Sequence, residues 1–302
     1  MRKWTYILLF TLLAGTQLKG QDIVQQALMH LQNNELESAK ELVDKAIQLD
    51  LYNQKATTWF YYGYVYKELY KANDVGNINS TNLETASNAY LKALEMDNNH
   101  PERNNNILGI NYLAIQYYNI AGTILNQATF NVNIDTNIIN KAITNYARYK
   151  ELKKISEPNF NNTERDISFY YQLGSAYHLK YDSSKFADKK SGKYAELYFG
   201  KVLELDNNNV SALYNVGIIY YNEAVDIINT LDYDEDLEKL NKSLDYSIEL
   251  FLKALPYMKK AYELEPKRKE TIVGLSYIYL SLNDNEKSEQ FRKELKMLEA
   301  NE

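Results

Sequence analysis

The chain contains no cysteine. It therefore has no disulfide, no thiolate metal site, no lipid-modified cysteine and no thiol nucleophile. Proline and glycine are also scarce, with 4 and 11 among 302 residues. So few helix breakers favour an all-α fold. The three histidines, His30, His100 and His178, fall at different helical phases, and none sits one turn from another as a metal-binding pair would. Glycine-rich phosphate loops, nucleophile elbows and zinc-hydrolase patterns are missing. Paired carboxylates carry no signal in a chain with 40 Asp and Glu. The sequence predicts no metal, no cofactor and no enzymatic activity. Asp97 and Asp206, each followed by asparagines, resemble calcium loops but lack the central glycine and terminal glutamate; they read as helix ends. The formal charge is −6 with no dense Lys/Arg stripe, so nucleic acid is not expected as a partner.

Long apolar runs are missing too, apart from one short stretch at the start. Arg2 and Lys3 precede an apolar segment at 6–14, and small residues follow. The run is shorter than the roughly 20 residues a membrane span needs. This pattern predicts a secretory signal over residues 1–20, with Gly20-Gln21 as the cleavage point and Ala14-x-Thr16 as a second candidate. An uncleaved N-terminal anchor is the alternative. Loss of Arg2, Lys3 and Lys19 with the signal takes the formal charge from −6 to −9. The expectation is a non-lipidated periplasmic or secreted protein. The signal's shape and the Asn/Lys/Tyr-rich composition suggest a Gram-negative bacterial envelope.

What the sequence does have is a repeat. Trp59, Tyr62, Gly63 and Tyr66 form W-x2-Y-G-x2-Y. Related copies are Leu108-Gly109…Tyr112, Leu173-Gly174…Tyr177, Val216-Gly217…Tyr220 and, with Ser for Gly, Leu275-Ser276…Tyr279. A second pattern lies downstream: Ala86…Tyr90…Ala93, Ala195…Phe199…Val202 and Ala254…Met258…Ala261. A small residue beside a large apolar one lets two helices approach closely, while the aromatic one turn on fills the gap. The two patterns resemble helices A and B of the tetratricopeptide repeat. The resemblance implies a right-handed superhelical solenoid of about six antiparallel helix pairs, several with lengthened hairpins. Its units would cover residues 20–53, 56–101, 102–166, 167–209, 210–268 and 269–302, each burying its face against its neighbours.

The four middle units carry insertions between their helices. In the third, Ile110, Leu113, Ala114, Tyr117, Tyr118 and Ala121 continue an apolar face, as do Ile134, Ile138, Ile139 and Ala142. That periodicity predicts two lengthened antiparallel helices. Residues 73–81 read as a loop, and residues 230–236 as a loop before a helix from about Leu237. Pro256 is expected to kink or restart the helix that contains it. The irregular stretch 156–163 is the best candidate for a joint in an otherwise continuous array.

Tyrosine is abundant, with 28 Tyr against 9 Phe and 2 Trp. An AT-rich genome would enrich Tyr, Asn, Lys and Ile together, and many tyrosines fall at helix-A packing positions. For the remainder, the resemblance implies an inner groove lined by helix-A residues. They are Phe60, Tyr64 and Lys67; then Arg103, Asn106 and Ile110; then Tyr171 and His178; then Tyr214, Ile218 and Tyr221; and last Val273 and Tyr277. Such tyrosines supply contact area and a hydroxyl. The predicted function is an exported scaffold binding a protein or peptide in an aromatic groove. The alternative is a glycan-binding module, for which the groove offers few carboxylates and amides beyond Asn106 and Asn222.

Overall fold

Capping residues set where the helices begin. A computed structural model describes residues 22–131, 135–232, 234 and 236–300. The predicted secretory signal lies outside these residues. Asp22 accepts from Val24 N at 2.9 Å and starts α1 (Ile23–Gln32), which is followed by α2 (Leu36–Ala46) and the single turn α3 (Asp50–Asn53). After α4 (Ala56–Asn73), Ser80 accepts from Leu83 N at 3.1 Å and caps α5 (Thr81–Met96). Next come α6 (Arg103–Ala128), α7 (Thr136–Ser156) and α8 (Thr163–Ser183). Asp188, Asn209 and Asp236 cap α9 (Lys189–Leu205), α10 (Val210–Asn229) and α11 (Leu237–Leu264) by accepting from backbone N–H groups of the first turn. The described chain closes with α12 (Lys269–Ser281) and α13 (Asn285–Ala300). Apart from α3, these helices form six sequential pairs.

The loop at 74–80 falls where the turn-forming residues predict; α10 ends at Asn229 and α11 begins at Leu237, on either side of the second predicted loop, of which residues 233 and 235 lie outside the described residues. The third pair has helices of 26 and 21 residues, lengthened as its periodicity predicts. Of the two outcomes expected at Pro256, the restart does not occur, because α11 runs through it unbroken. Pro256 is exposed, and so is Leu252 one turn earlier, whose carbonyl loses its N–H partner. Water can satisfy that carbonyl, so the helix continues. Among the described residues, no helix is long and apolar enough to cross a membrane.

The chain divides into two compact units. The first comprises 22–121 and 142–160; the second comprises 122–141 and 161–300. In the first unit, the fully buried Tyr90 of α5 wedges between α4 and α6. A Cβ on Gly63 would lie 2.8 Å from Tyr90 Cδ1, and one on Gly109 would lie 2.5 Å from Cε2. Glycine at both positions makes room for the ring. Further along α6, the Tyr118 ring sits 5.2 Å from that of Tyr149 on α7. Lys153 Nζ donates to Asn111 Oδ1 at 3.0 Å across the same antiparallel pair.

The second unit repeats the wedge. Phe199 of α9 fills the space above Gly174 of α8, where a Cβ would lie 2.8 Å from the ring. Met258 of α11 sits between Gly217 of α10 and Gly274 of α12, at 2.8 and 2.9 Å from the corresponding Cβ positions. The helix-B residues Tyr90, Phe199 and Met258 are those the second sequence pattern identifies. Their burial against helix-A glycines is the pairing that the resemblance implies.

Candidate functional site

One face of α4 carries Phe60, Tyr64, Lys67 and Lys71, spaced three to four residues apart and so aligned along the helix. The facing residues from the start of α6 are Glu102, Asn105, Leu108 and Tyr112, spaced the same way. Together with Tyr61 and Gly109, these residues line a cavity of about 480 Å³ within the first unit. That volume is within the range of small-ligand sites.

Aromatic rings form its floor and one wall. Phe60 is 4% exposed and stacks on Tyr64 at 6.2 Å and on Tyr90 at 5.7 Å between ring centroids. Tyr61 meets the Phe60 ring edge-on at 5.0 Å. Lys67 Nζ lies 4.2 Å from the Tyr64 ring centroid, so that ring is engaged by both Phe60 and Lys67.

Charge is divided between the two ends. Lys67 and Lys71 grip opposite oxygens of Glu68, at 2.9 and 2.8 Å. Burial disfavours the Glu68 carboxylate, but hydrogen bonds from Lys71 and Lys67 outweigh it and hold the group below the usual range. Two ammoniums thus share one carboxylate. At the other end, Glu102 accepts from Tyr61 Oη at 3.1 Å and from Asn105 Nδ2 at 2.7 Å. Burial pushes the Tyr61 and Tyr112 phenols above their ordinary pKa. The lining offers ring surface, ammonium and carboxylate. Those groups can hold a ligand. Among the described residues, no group of three His, Cys, Asp or Glu is placed to hold a metal.

Of the residues expected in the groove, Phe60, Tyr64 and Lys67 line this cavity. The α6 residues do not. Arg103 is exposed but does not line the cavity, while Asn106 and Ile110 are fully buried. Asn106 Nδ2 lies 3.1 Å from both Tyr90 O and His100 Nε2, inside the core. The expectation fails by two residues of register. Gly109 contacts Tyr90 of the preceding helix B, as Gly274 contacts Met258. The small helix-A residue of the last pair is Ser276, two positions beyond Gly274, so its counterpart in α6 is Asn111. Moving Arg103, Asn106 and Ile110 forward by two gives Asn105, Leu108 and Tyr112, all of which line the cavity. The 67% exposure of Leu108 marks the same slip.

In the second unit the predicted residues lie along α8, α10 and α12 and are mostly drawn into packing. Tyr171 meets Phe199 edge-on at 5.5 Å, and its hydroxyl accepts from Asn215 Nδ2 at 3.3 Å. His178 meets the same ring at 6.4 Å, and burial pushes its imidazole below the ordinary pKa despite Asp182 nearby. Tyr214 lies under the Arg268 guanidinium at 4.7 Å. Tyr221 leans on Phe251 at 5.7 Å. Tyr214, Ile218 and Tyr221 all pack against the core around Met258. Val273 is half-buried, and Tyr277 is largely exposed.

No known family profile matches the chain, and no curated protein matches it either. Several solved structures are similar. One comes from the functional characterization of Pseudomonas aeruginosa pilF, with 16% identity over 91% of this chain and 90% of that one, at a TM-score of 0.37. A second is YrrB, a TPR protein with an unusual peptide-binding site, with 15% identity, 85% and 91% coverage and a TM-score of 0.33. A third is the C-terminal part of a TPR repeat-containing protein from Cytophaga hutchinsonii, with 16% identity, 98% and 90% coverage and a TM-score of 0.37. By its own architecture the chain is an all-α helical-repeat protein of six sequential helix pairs, three of which (α4/α5, α8/α9 and α10/α11) pack a helix-A glycine under a large helix-B side chain.

Proposed function

We propose that the chain is an exported, non-enzymatic scaffold that binds a peptide segment of a protein partner in the cavity between α4 and α6. One observation carries this reading: four aromatic side chains and two lysines that share a single carboxylate converge on a space of about 480 Å³. Aromatic anchors supply contact area at low entropic cost, and the surplus ammonium attracts an acidic group. A glycan would need open ring faces to stack on. The Tyr64 ring is already engaged by the stacked Phe60 ring and by the Lys67 ammonium. A peptide is therefore the better occupant. Export rests on the Arg2-Lys3 signal at the start of the chain.

The test is selection of a random peptide library on the purified chain, followed by titration of the enriched peptides. Tyr112→Ala should weaken their binding at least roughly tenfold, as loss of an interface anchor does, with helicity unchanged by circular dichroism. Enriched peptides that bind Tyr112→Ala and Lys71→Ala as tightly as the parent would place the site elsewhere.

A further inference from the structure

Tyr90, Phe199 and Met258 do the same structural work, each filling the space above helix-A glycines. Phe199 and Met258 do it without a polar atom, so the packing has no need of a hydroxyl. Yet the Tyr90 hydroxyl is there, in a side chain that is fully buried, and it has no hydrogen-bond partner. An unpaired buried hydroxyl destabilises the fold. Its position is informative. A Cβ on Gly109 would lie 3.0 Å from Tyr90 Oη, and the Gly109 backbone lines the α4/α6 cavity. Burial is the largest influence pushing the phenol far above its ordinary pKa, followed in size by the charge of Glu68 and the phenol of Tyr64, the latter a residue that lines the cavity.

We propose that the Tyr90 hydroxyl is a recognition group for the cavity's occupant, and that this occupant is a peptide segment carrying a tyrosine beside an acidic residue. This proposal rests on the peptide-binding reading above and adds the chemistry of the ligand. The incoming ring packs among Phe60, Tyr61 and Tyr112. Its hydroxyl, which both donates and accepts, pairs with Tyr90 Oη beside Gly109. The neighbouring carboxylate meets Lys67 and Lys71, whose two ammoniums have only Glu68 between them.

The test is calorimetric titration of the full chain and its Tyr90→Phe variant with three probes: Ac-Gly-Tyr-Glu-Gly-NH2, its Tyr-to-Phe analogue and its Glu-to-Lys analogue. For the parent protein, removing the peptide hydroxyl should weaken binding about two- to tenfold, as loss of one hydrogen bond does. For Tyr90→Phe, the tyrosine and phenylalanine peptides should bind equally. The lysine analogue should bind worst to both proteins. Tyr90→Phe should melt at or above the parent, because phenylalanine already serves at position 199. An equal tyrosine preference in parent and variant overturns the role of Tyr90 while leaving peptide binding intact. A variant that melts well below the parent gives the hydroxyl a structural partner and also overturns it. Failure of every one of these peptides to bind the parent overturns this proposal, whereas the peptide-binding reading beneath it falls only if the random library also yields no binder.

Discussion

Gly174→Ala sets two opposed effects against each other, and the structure decides between them. Alanine is a better helix former than glycine by about 1 kcal/mol in an exposed helix interior. At position 174, however, the new Cβ would lie 2.8 Å from Phe199 Cδ1 and Cε1 and 3.0 Å from Cγ. Carbon atoms in contact prefer roughly 3.5–4.0 Å, so the ring or the helix must move by most of an ångström. Phe199 is fully buried and has little room to retreat. Overpacking of this kind costs about 1–3 kcal/mol, which exceeds the gain in helix propensity. Gly200, next to Phe199 on α9, is the control. A Cβ there would meet nothing within 4 Å, so Gly200→Ala keeps the propensity gain and should stabilise by roughly 0.5–1 kcal/mol. The two alanine variants should therefore differ by about 2 kcal/mol, with Gly174→Ala the less stable. At roughly 2–4 °C per kcal/mol, thermal melts will separate them clearly. A Gly174→Ala protein that melts at or above the parent would refute the close-approach argument and the helix pairing built on it.

Stability should also fall as the pH drops below about 6.5. Burial depresses the pKa of both His100 and His178 in the fold, so the unfolded chain takes up protons first. Each histidine adds up to about 1.4 kcal/mol of loss per pH unit, and His178→Gln should flatten the fall between pH 7.5 and 5.5 in urea titrations. Identical slopes for the two proteins would dismiss its contribution. For export, mass spectrometry of the mature protein should find a new N-terminus near Gln21. An intact Met1 in membrane-extracted material would contradict cleavage.

The helix pairs were legible because their cause is local. A glycine with an aromatic residue one turn on, and an alanine-flanked large residue downstream, specify where two helices must touch. The loop at 74–80 and the break between α10 and α11 were legible for the same reason, since short runs of Asn, Asp, Ser, Thr and Gly favour turns. Pro256 was not, because its effect depends on which face of α11 meets water, and tertiary packing sets that. The second-unit tyrosines were ambiguous in a similar way. Helical phase places Tyr214 and Tyr221 on the helix-A face, but only the packed structure puts Arg268 over one ring and Phe251 beside the other.

The α6 half of the cavity shows where pattern reading stops. Gly109 is small, follows the large Leu108 and precedes Tyr112 by one turn, so it satisfies the same local rule as Gly63. The rule cannot tell which helix B the glycine faces. Gly63 lies against the Tyr90 that follows it in sequence, whereas Gly109 lies against the Tyr90 that precedes it. The true counterpart of Gly63 is Asn111, which is neither small nor apolar. Its side chain receives the Lys153 ammonium from α7 at 3.0 Å, and a search for small residues passes over it. An error of two residues turns a helix by about 200°. It therefore exchanged the cavity wall for the core, putting Asn106 and Ile110 where Leu108 and Tyr112 belong. The corrected register also accounts for Leu108, an apolar side chain that is 67% exposed: it lines the cavity rather than the core.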